Sequence, residues 1–259
     1  MKREHKTEMK ARARNIRLVV AYDGTAYHGF QRQKPPVTGV QNVLEAKLAV
    51  VFGDSIELAA AGRTDAGVHA YGQVVNFFTN GPIPVDRIVR AANSLLPEDI
   101  VVCEASEASR DFSARHSARS KSYIYRIVQG ETPNPFLHRY AWYVRRPLDL
   151  AAMQEASAAL LGTHDFSSFC ASGGAEMSPV RTMYEVSCLQ RGNEIEFRFF
   201  ANGFLYHMVR NLVGTLVDVG LGRWNMQDFQ RIIEAHDRQQ ASATAPAQGL
   251  YLEHVNYDE

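Results

Sequence analysis

The segment Gly62–Ala70 sets one carboxylate, Asp65, and one guanidinium, Arg63, among two glycines and two alanines. Apolar strand-like runs flank it on both sides. Small residues let a backbone approach a ligand closely, and loops on a rigid sheet are where catalytic groups concentrate. A tight turn in which Asp65 accepts local backbone hydrogen bonds fits the same residues. From the residues alone both readings stay open.

Arg210 is the second awkward residue, placed among Met208, Val209, Leu212 and Val213. A guanidinium in apolar surroundings needs an anionic partner, because leaving it unpaired costs roughly 3–5 kcal/mol. The alternative is a stem lying along a helix with its head in water. A third constellation runs from Arg110 to Arg126, where Arg110, Arg115, Arg119, Lys121 and Arg126 alternate with Phe112, Tyr123 and Tyr125. Basic groups interleaved with aromatics suit phosphate neutralisation and base stacking. A solvated charged face accounts for a basic run equally well. His69, His164 and His207 have no spacing that demands a metal, and they read as hydrogen-bonding histidines.

Composition narrows the classes. Lys+Arg and Asp+Glu are 28 each, so the formal net charge is zero. That argues mildly against a nucleic-acid partner, but binding needs only a local patch. Cys103, Cys170 and Cys188 form no CxxC pair, and HExxH is absent, so no metal site is expected and the cysteines read as reduced thiols. The N-terminus lacks the apolar stretch of a signal peptide, and no run approaches the roughly 20 apolar residues of a membrane span. A soluble, cytoplasmic protein is expected.

The elements that must position these residues follow from periodicity. Residues 1–14 are polar and read as a flexible basic tail, with order from Asn15. Ile16, Leu18 and Val20 alternate into a strand ending at Asp23-Gly24. Thr38 and Gln41 make a capping box for a helix with Val40, Val43, Leu44, Leu48 and Val51 on one face. Strands are expected over 56–61 and 73–79. Pro84 suits the first position of a helix that turns Ile88, Val89, Ala92 and Leu95 inward, and a strand closes this half over 100–105. The second half has a strand over 122–128, a helix over 150–161 stopped by Gly162, a hairpin over 181–201, an apolar helix over 204–219, a short helix over 226–235 and a last strand over 250–257. Together these predict an α+β fold with a domain over 15–112 and another over 113–259.

Gly62–Ala70, Tyr123, Gly203–Arg210 and Ala245–Leu250, taken in order, resemble the tRNA pseudouridine synthase A family. Tyr22-Asp23-Gly24 and Gly29–Gln33 resemble its N-terminal signature, with Phe30 where the family often has Trp. The match runs from about Ile16 to Tyr257. The resemblance implies two similar domains, each a largely antiparallel sheet with helices on one face, facing one another across a basic cleft. It also implies a homodimer gripping the anticodon stem-loop of tRNA, with uridines 38–40 as targets and no cofactor. By position, Asp65 falls on the family's catalytic aspartate and Arg63 on an arginine that helps hold the flipped nucleotide. Tyr123 falls on the active-site tyrosine, Arg210 on the arginine that pairs with the aspartate, and Leu250 on an apolar pocket residue.

The implied chemistry breaks an N-glycosidic bond and rejoins the same uracil through carbon. It needs one ionised carboxylate, either to attack the sugar or base or to remove a proton. The target base must leave its stack at a cost of a few kcal/mol (order of magnitude). A non-catalytic RNA-binding module would explain the basic run, but not a carboxylate in the loop, where it would repel phosphate. A metal-dependent phosphohydrolase using Asp65 would need further carboxylates for its ion.

Overall fold

The computed structural model describes residues 12–173 and 178–258. The fold is α+β, with mostly antiparallel strands and, among the described residues, five α-helices. The described residues gather into two compact units, 12–118 with 252–258, and 119–251.

In the first unit the strands are β1 (Arg14–Tyr22), β2 (Ala59–Ala60), β3 (His69–Thr79) and β4 (Ile100–Ala108), joined at the end by β10 (Leu250–Tyr257). Their order is β4-β1-β3-β10, with β2 on β3. β1 runs antiparallel to β3 and β4, Ile16 facing Phe77 and Glu107. The expected alternation is present, since Ile16, Leu18 and Val20 are buried. Helix α1 (Val40–Phe52) buries Val40, Leu44, Leu48 and Phe52. Each such side chain contributes about 1.5–3 kcal/mol by leaving water. Helix α2 (Val85–Asn93) packs on β4 and α1.

Several sequence expectations shift here for local reasons. Gly39, not Thr38, caps α1, and Asn42 Oδ1 accepts the Gly39 N–H at 3.0 Å. Gln41 instead braces Arg32 and Glu45 with its side chain. Pro84 is the cap of α2 rather than its first residue, and α2 ends before Leu95, which stays 39% exposed. Of the expected strand over 56–61 only Ala59–Ala60 pairs. β3 begins four residues earlier than expected, at His69.

Residues 1–11 of the expected tail lie outside the described residues. Arg12 and Arg14, assigned to that tail, are fixed. Arg12 pairs with Asp54 at 3.1 Å, and Arg14 opens β1 and donates to the carbonyls of Gly81 and Ile83. The boundary expected at Phe112 moves to Ala118, and the chain's last residues return to the first unit. Asn15 and Asn76 explain this. Buried and bonded to each other at 2.8 Å, they hold the Phe112 carbonyl and the Ala114 N–H. Phe112 also packs on Tyr257, whose hydroxyl donates to the Ala114 carbonyl.

The second unit orders its strands β5 (Ala118–Gln129), β9 (Glu194–Ala201), β8 (Val180–Arg191) and β7 (Gly162–Asp165), with β6 (Trp142–Val144) parallel to β5. β8 and β9 form the expected hairpin, and Ile195, Phe197 and Phe199 share its buried face. Helix α3 (Leu150–Ala158) starts where Asp149 Oδ1 accepts the Ala152 N–H, and it ends three residues before the expected stop. Helix α4 (Met208–Gly220) is buried nearly all round, as a helix surrounded by protein must be. Helix α5 (Met226–Ala235) carries an Asn225–Asp228 capping box.

Candidate active site

Asp65 is half-buried and Arg63 is exposed, both on the loop entering β3 in the first unit. Two backbone–backbone contacts and one from a backbone N–H to a side chain hold that loop against residues 22–30. The Phe30 N–H donates to the Thr64 carbonyl at 3.0 Å, the Gly67 N–H to the Tyr27 carbonyl at 3.3 Å, and the Gly24 N–H to His69 Nδ1 at 3.1 Å. The loop also turns on itself, Val68 N–H donating to the Asp65 carbonyl at 3.1 Å. Two glycines permit this approach. A Cβ on Gly24 would stand 2.0 Å from the Val68 oxygen, and one on Gly29 2.7 Å from the Thr64 oxygen.

Behind the loop lies a buried polar group that sequence reasoning missed. The hydroxyls of Tyr22 and Thr64 meet at 2.7 Å, and Gln73 Nε2 donates to the Gly62 carbonyl at 3.0 Å. Burial pushes the Tyr22 phenol up to about 12, against the lowering effect of bonds to Thr64 and Gln73. Gln73 Oε1 has no hydrogen-bond partner among the described residues. Gln73 thus holds the backbone just before Arg63, and Tyr22 holds the Thr64 side chain between Arg63 and Asp65. Tyr22 ended an expected strand and Gln73 opened one, so neither stood out by type. The available signal was a polar residue on the inward face of each strand.

The second unit holds Tyr123, Arg210 and Leu250. Tyr123 lies on β5, 8% exposed, edge-on to Phe204 with ring centroids 4.9 Å apart. Leu250, which opens β10, is buried. Helix α4 begins four residues later than the expected Phe204, because His207 adopts a left-handed conformation (φ 59°) as its cap. Arg210 therefore sits in the first turn, where the helix dipole disfavours a cation. Its Nε donates to the Ala245 carbonyl at 2.7 Å, and the Ala245 N–H returns a bond to the Arg210 carbonyl at 3.1 Å. The same 245–250 segment is fixed by Tyr125, whose hydroxyl donates to the Pro246 carbonyl at 2.7 Å. Burial raises the Tyr125 pKa and the nearby Arg210 charge opposes the shift.

The basic run divides by role. Arg110, Arg115 and Arg119 are exposed. Arg126 is instead engaged within its unit, 3.3 Å from Glu196 and 5.0 Å above the Tyr251 ring. Tyr125 is a core residue, and Phe112 packs on Tyr257. Among the histidines, His164 Nε2 donates to the Leu161 carbonyl at 2.7 Å, and the ring packs edge-on to Phe166. No cluster of metal-ligating side chains occurs among the described residues. No helix among them is long and apolar enough to cross a membrane.

A family described as tRNA pseudouridine synthase matches residues 18–117 and 156–258. A protein of Acetivibrio thermocellus named tRNA pseudouridine synthase A is 45% identical over 244 residues, 94% of this chain and 100% of that one. One of Moorella thermoacetica with the same name is 47% identical over 244 residues, covering 93% and 99%. A solved H/ACA ribonucleoprotein bound to a substrate RNA containing 2'-deoxyuridine is far more distant. It has a TM-score of 0.37 and 12% identity over 77% of this chain, which spans 44% of that one.

Proposed function

Because the chain belongs to the tRNA pseudouridine synthase family, and so is an isomerase of tRNA uridine, we propose that Asp65 is its essential carboxylate and that its targets are uridines 38–40 of the anticodon stem-loop. The observation that supports this most is the bracing of residues 62–67 by Tyr22, Gln73 and the 27–30 segment. Catalysis rewards a carboxylate held in one place, since misplacement by about 1 Å can cost roughly a hundredfold in rate. Arg63, Tyr123, Arg210 and Leu250 bind the flipped nucleotide. Tyr123 offers its ring to the base, which offsets part of the unstacking cost. Exposed Arg110, Arg115 and Arg119 neutralise phosphates. The enzyme works in the cytoplasm as a homodimer without a cofactor.

The test is incubation with tRNA carrying uridines at 38, 39 and 40, in EDTA, followed by mapping of pseudouridine. Product at these positions from the native enzyme, and none from Asp65→Asn, is the expected result. Asp65→Asn should still bind tRNA within about tenfold, roughly 1.4 kcal/mol, because phosphate contacts supply most of the affinity. Product from a clean Asp65→Asn preparation would remove the assignment, and product elsewhere in tRNA would remove the anticodon arm. Sedimentation should give about twice the 29.0 kDa of the chain.

A further inference from the structure

The second unit contains two arginines whose pKa burial depresses, Arg181 and Arg238. Their surroundings differ. Arg238 donates to the Ala241 carbonyl, to Asn211 Oδ1 and to Thr244 Oγ1, at 3.0–3.1 Å, so both of its terminal nitrogens are used. Arg181 is only 8% exposed, and it donates through Nη1 alone, to the carbonyls of Ser178 at 2.6 Å and Val180 at 2.7 Å. Among the described residues no carboxylate lies within ion-pair distance of it, and its Nε and Nη2 have no hydrogen-bond partner. Burial lowers its pKa, and Cys170 opposes that shift to a lesser extent.

A nine-tenths buried cation with no counter-ion among the described residues is costly, and it persists where something else compensates it. The geometry indicates what that is. Nη1 is pinned by the two carbonyls, and the backbone is pinned by pairing of Arg181 with His164 across β7 and β8. The Nε–Nη2 edge is therefore preorganised, with two parallel N–H donors of the kind that bind one oxyanion through two oxygens. Gly203 leaves that edge approachable. A Cβ there would stand 3.5 Å from Nε and 3.7 Å from Cδ, in ordinary contact, and glycine carries none. Gly203 is itself partly exposed and Asn202 before it is exposed, so the approach opens to the surface.

We propose that the Nε–Nη2 edge of Arg181, reached past Gly203, is a binding site for a backbone phosphodiester of the substrate RNA. This rests on tRNA being the substrate, and on neither the role of Asp65 nor the choice of the anticodon arm. Arg181 is then a phosphate contact separate from the basic run Arg110–Arg126. It is already desolvated before RNA arrives, so its charge acts with little screening.

The experiment is equilibrium binding of tRNA across a series of KCl concentrations, with thermal melting of the RNA-free protein alongside. Each neutralised phosphate contributes about 0.7–0.9 to the slope of log K against log salt. Arg181→Gln should reduce the slope by about that much and weaken binding severalfold at low salt. Arg181→Lys should restore the slope but not the full affinity, since the fork is lost. Gly203→Val keeps the guanidinium and fills the approach, so it should lose the same part of the slope with little change in melting. It also keeps the proposal open to refutation if Arg181→Gln fails to fold. An unchanged slope in both Arg181→Gln and Gly203→Val, whatever happens to melting, would overturn the site. Salt-independent binding by the native enzyme would overturn the RNA reading itself, and this site with it.

Discussion

The Asp65 loop and the Arg210 corner solve the same problem with different materials. At Asp65 the backbone is the positioning device. Glycines at 24 and 29 bring two loops into contact, and N–H groups of Gly24, Phe30 and Gly67 tie them together. At Arg210 side chains do the work. The guanidinium and the Tyr125 hydroxyl each take a carbonyl of the 245–246 segment, across 35 and 121 residues of chain. A backbone-built site fails when a Cβ is added, and a side-chain-built site fails when a functional group is removed. The mobile partner also differs, since a loop has no ladder to restore it after displacement whereas β5 and α4 do.

The largest effect is therefore expected from Gly24→Ala, whose Cβ meets the Val68 carbonyl at 2.0 Å. Relief of that clash moves residues 65–68, and kcat should fall about a hundredfold. Stability should fall by about 1–3 kcal/mol, as for other overpacked sites. The matched variant in the other region, Gly249→Ala, meets the Tyr125 ring at 2.7 Å and the Arg126 carbonyl at 2.8 Å. It should destabilise similarly, with a smaller loss of kcat. Equal kcat losses at equal stability would show that the two regions are not built differently.

This contrast also explains what the sequence made legible. Gly62–Ala70 could be read because its carboxylate, its guanidinium and its small residues are contiguous. Strands β1, β8 and β9 could be read because their alternation buries one face, as Ile195, Phe197 and Phe199 do. The caps were harder. Thr38 and Gln41 satisfy the capping pattern, yet Gly39 and Asn42 take the role because Gln41 is drawn to Arg32 and Glu45. The start of α4 depends on a left-handed histidine, a conformation that no pattern of residue types announces. The unit boundary depended on Asn15 and Asn76 closing over residues 112–114, a contact across 61 positions. Tyr22 and Gln73 were invisible for a common reason, since each is one polar residue in an apolar alternation whose partner lies elsewhere in the chain, 42 and 11 residues away.

Next in size is Tyr123, which tests whether the second region contributes a ring or a hydroxyl. Tyr123→Ala should reduce kcat/KM by about ten- to a hundredfold, the value of one base–aromatic stack at roughly 1–3 kcal/mol. It also removes the edge contact to Phe204. Tyr123→Phe keeps both and should retain much of the activity. Equal damage from the two variants would give the hydroxyl a chemical role and sink the stacking account.

A smaller effect is expected from Tyr22→Phe in the first region. It removes the hydroxyl bonded to Thr64 and adjoining Gln73, leaving buried polar atoms with one partner fewer. The cost should be about 1–3 kcal/mol in urea unfolding. Because residues 62–64 lead directly into Asp65, kcat should fall a fewfold while KM for tRNA stays unchanged. A change in KM alone would mean that the polar group supports RNA binding rather than the carboxylate.

The smallest effect is expected from Arg126→Met, and it separates basic residues by what already holds them. Arg126 faces Glu196 at 3.3 Å and lies over the Tyr251 ring at 5.0 Å, both within its own unit. A cation with a carboxylate beside it displaces few counterions when RNA binds, because its charge is compensated beforehand. The slope of log K against log salt should therefore change by much less than the roughly 0.7–0.9 of a full phosphate contact. Arg115→Met, at an exposed position of the same run, should lose about that full amount. The pair with Glu196 is itself partly exposed, so its loss should cost no more than about 1 kcal/mol of stability. A full-sized slope change for Arg126→Met would show that the RNA draws this guanidinium away from Glu196, and the division of the basic run into structural and RNA-facing members would have to be redrawn.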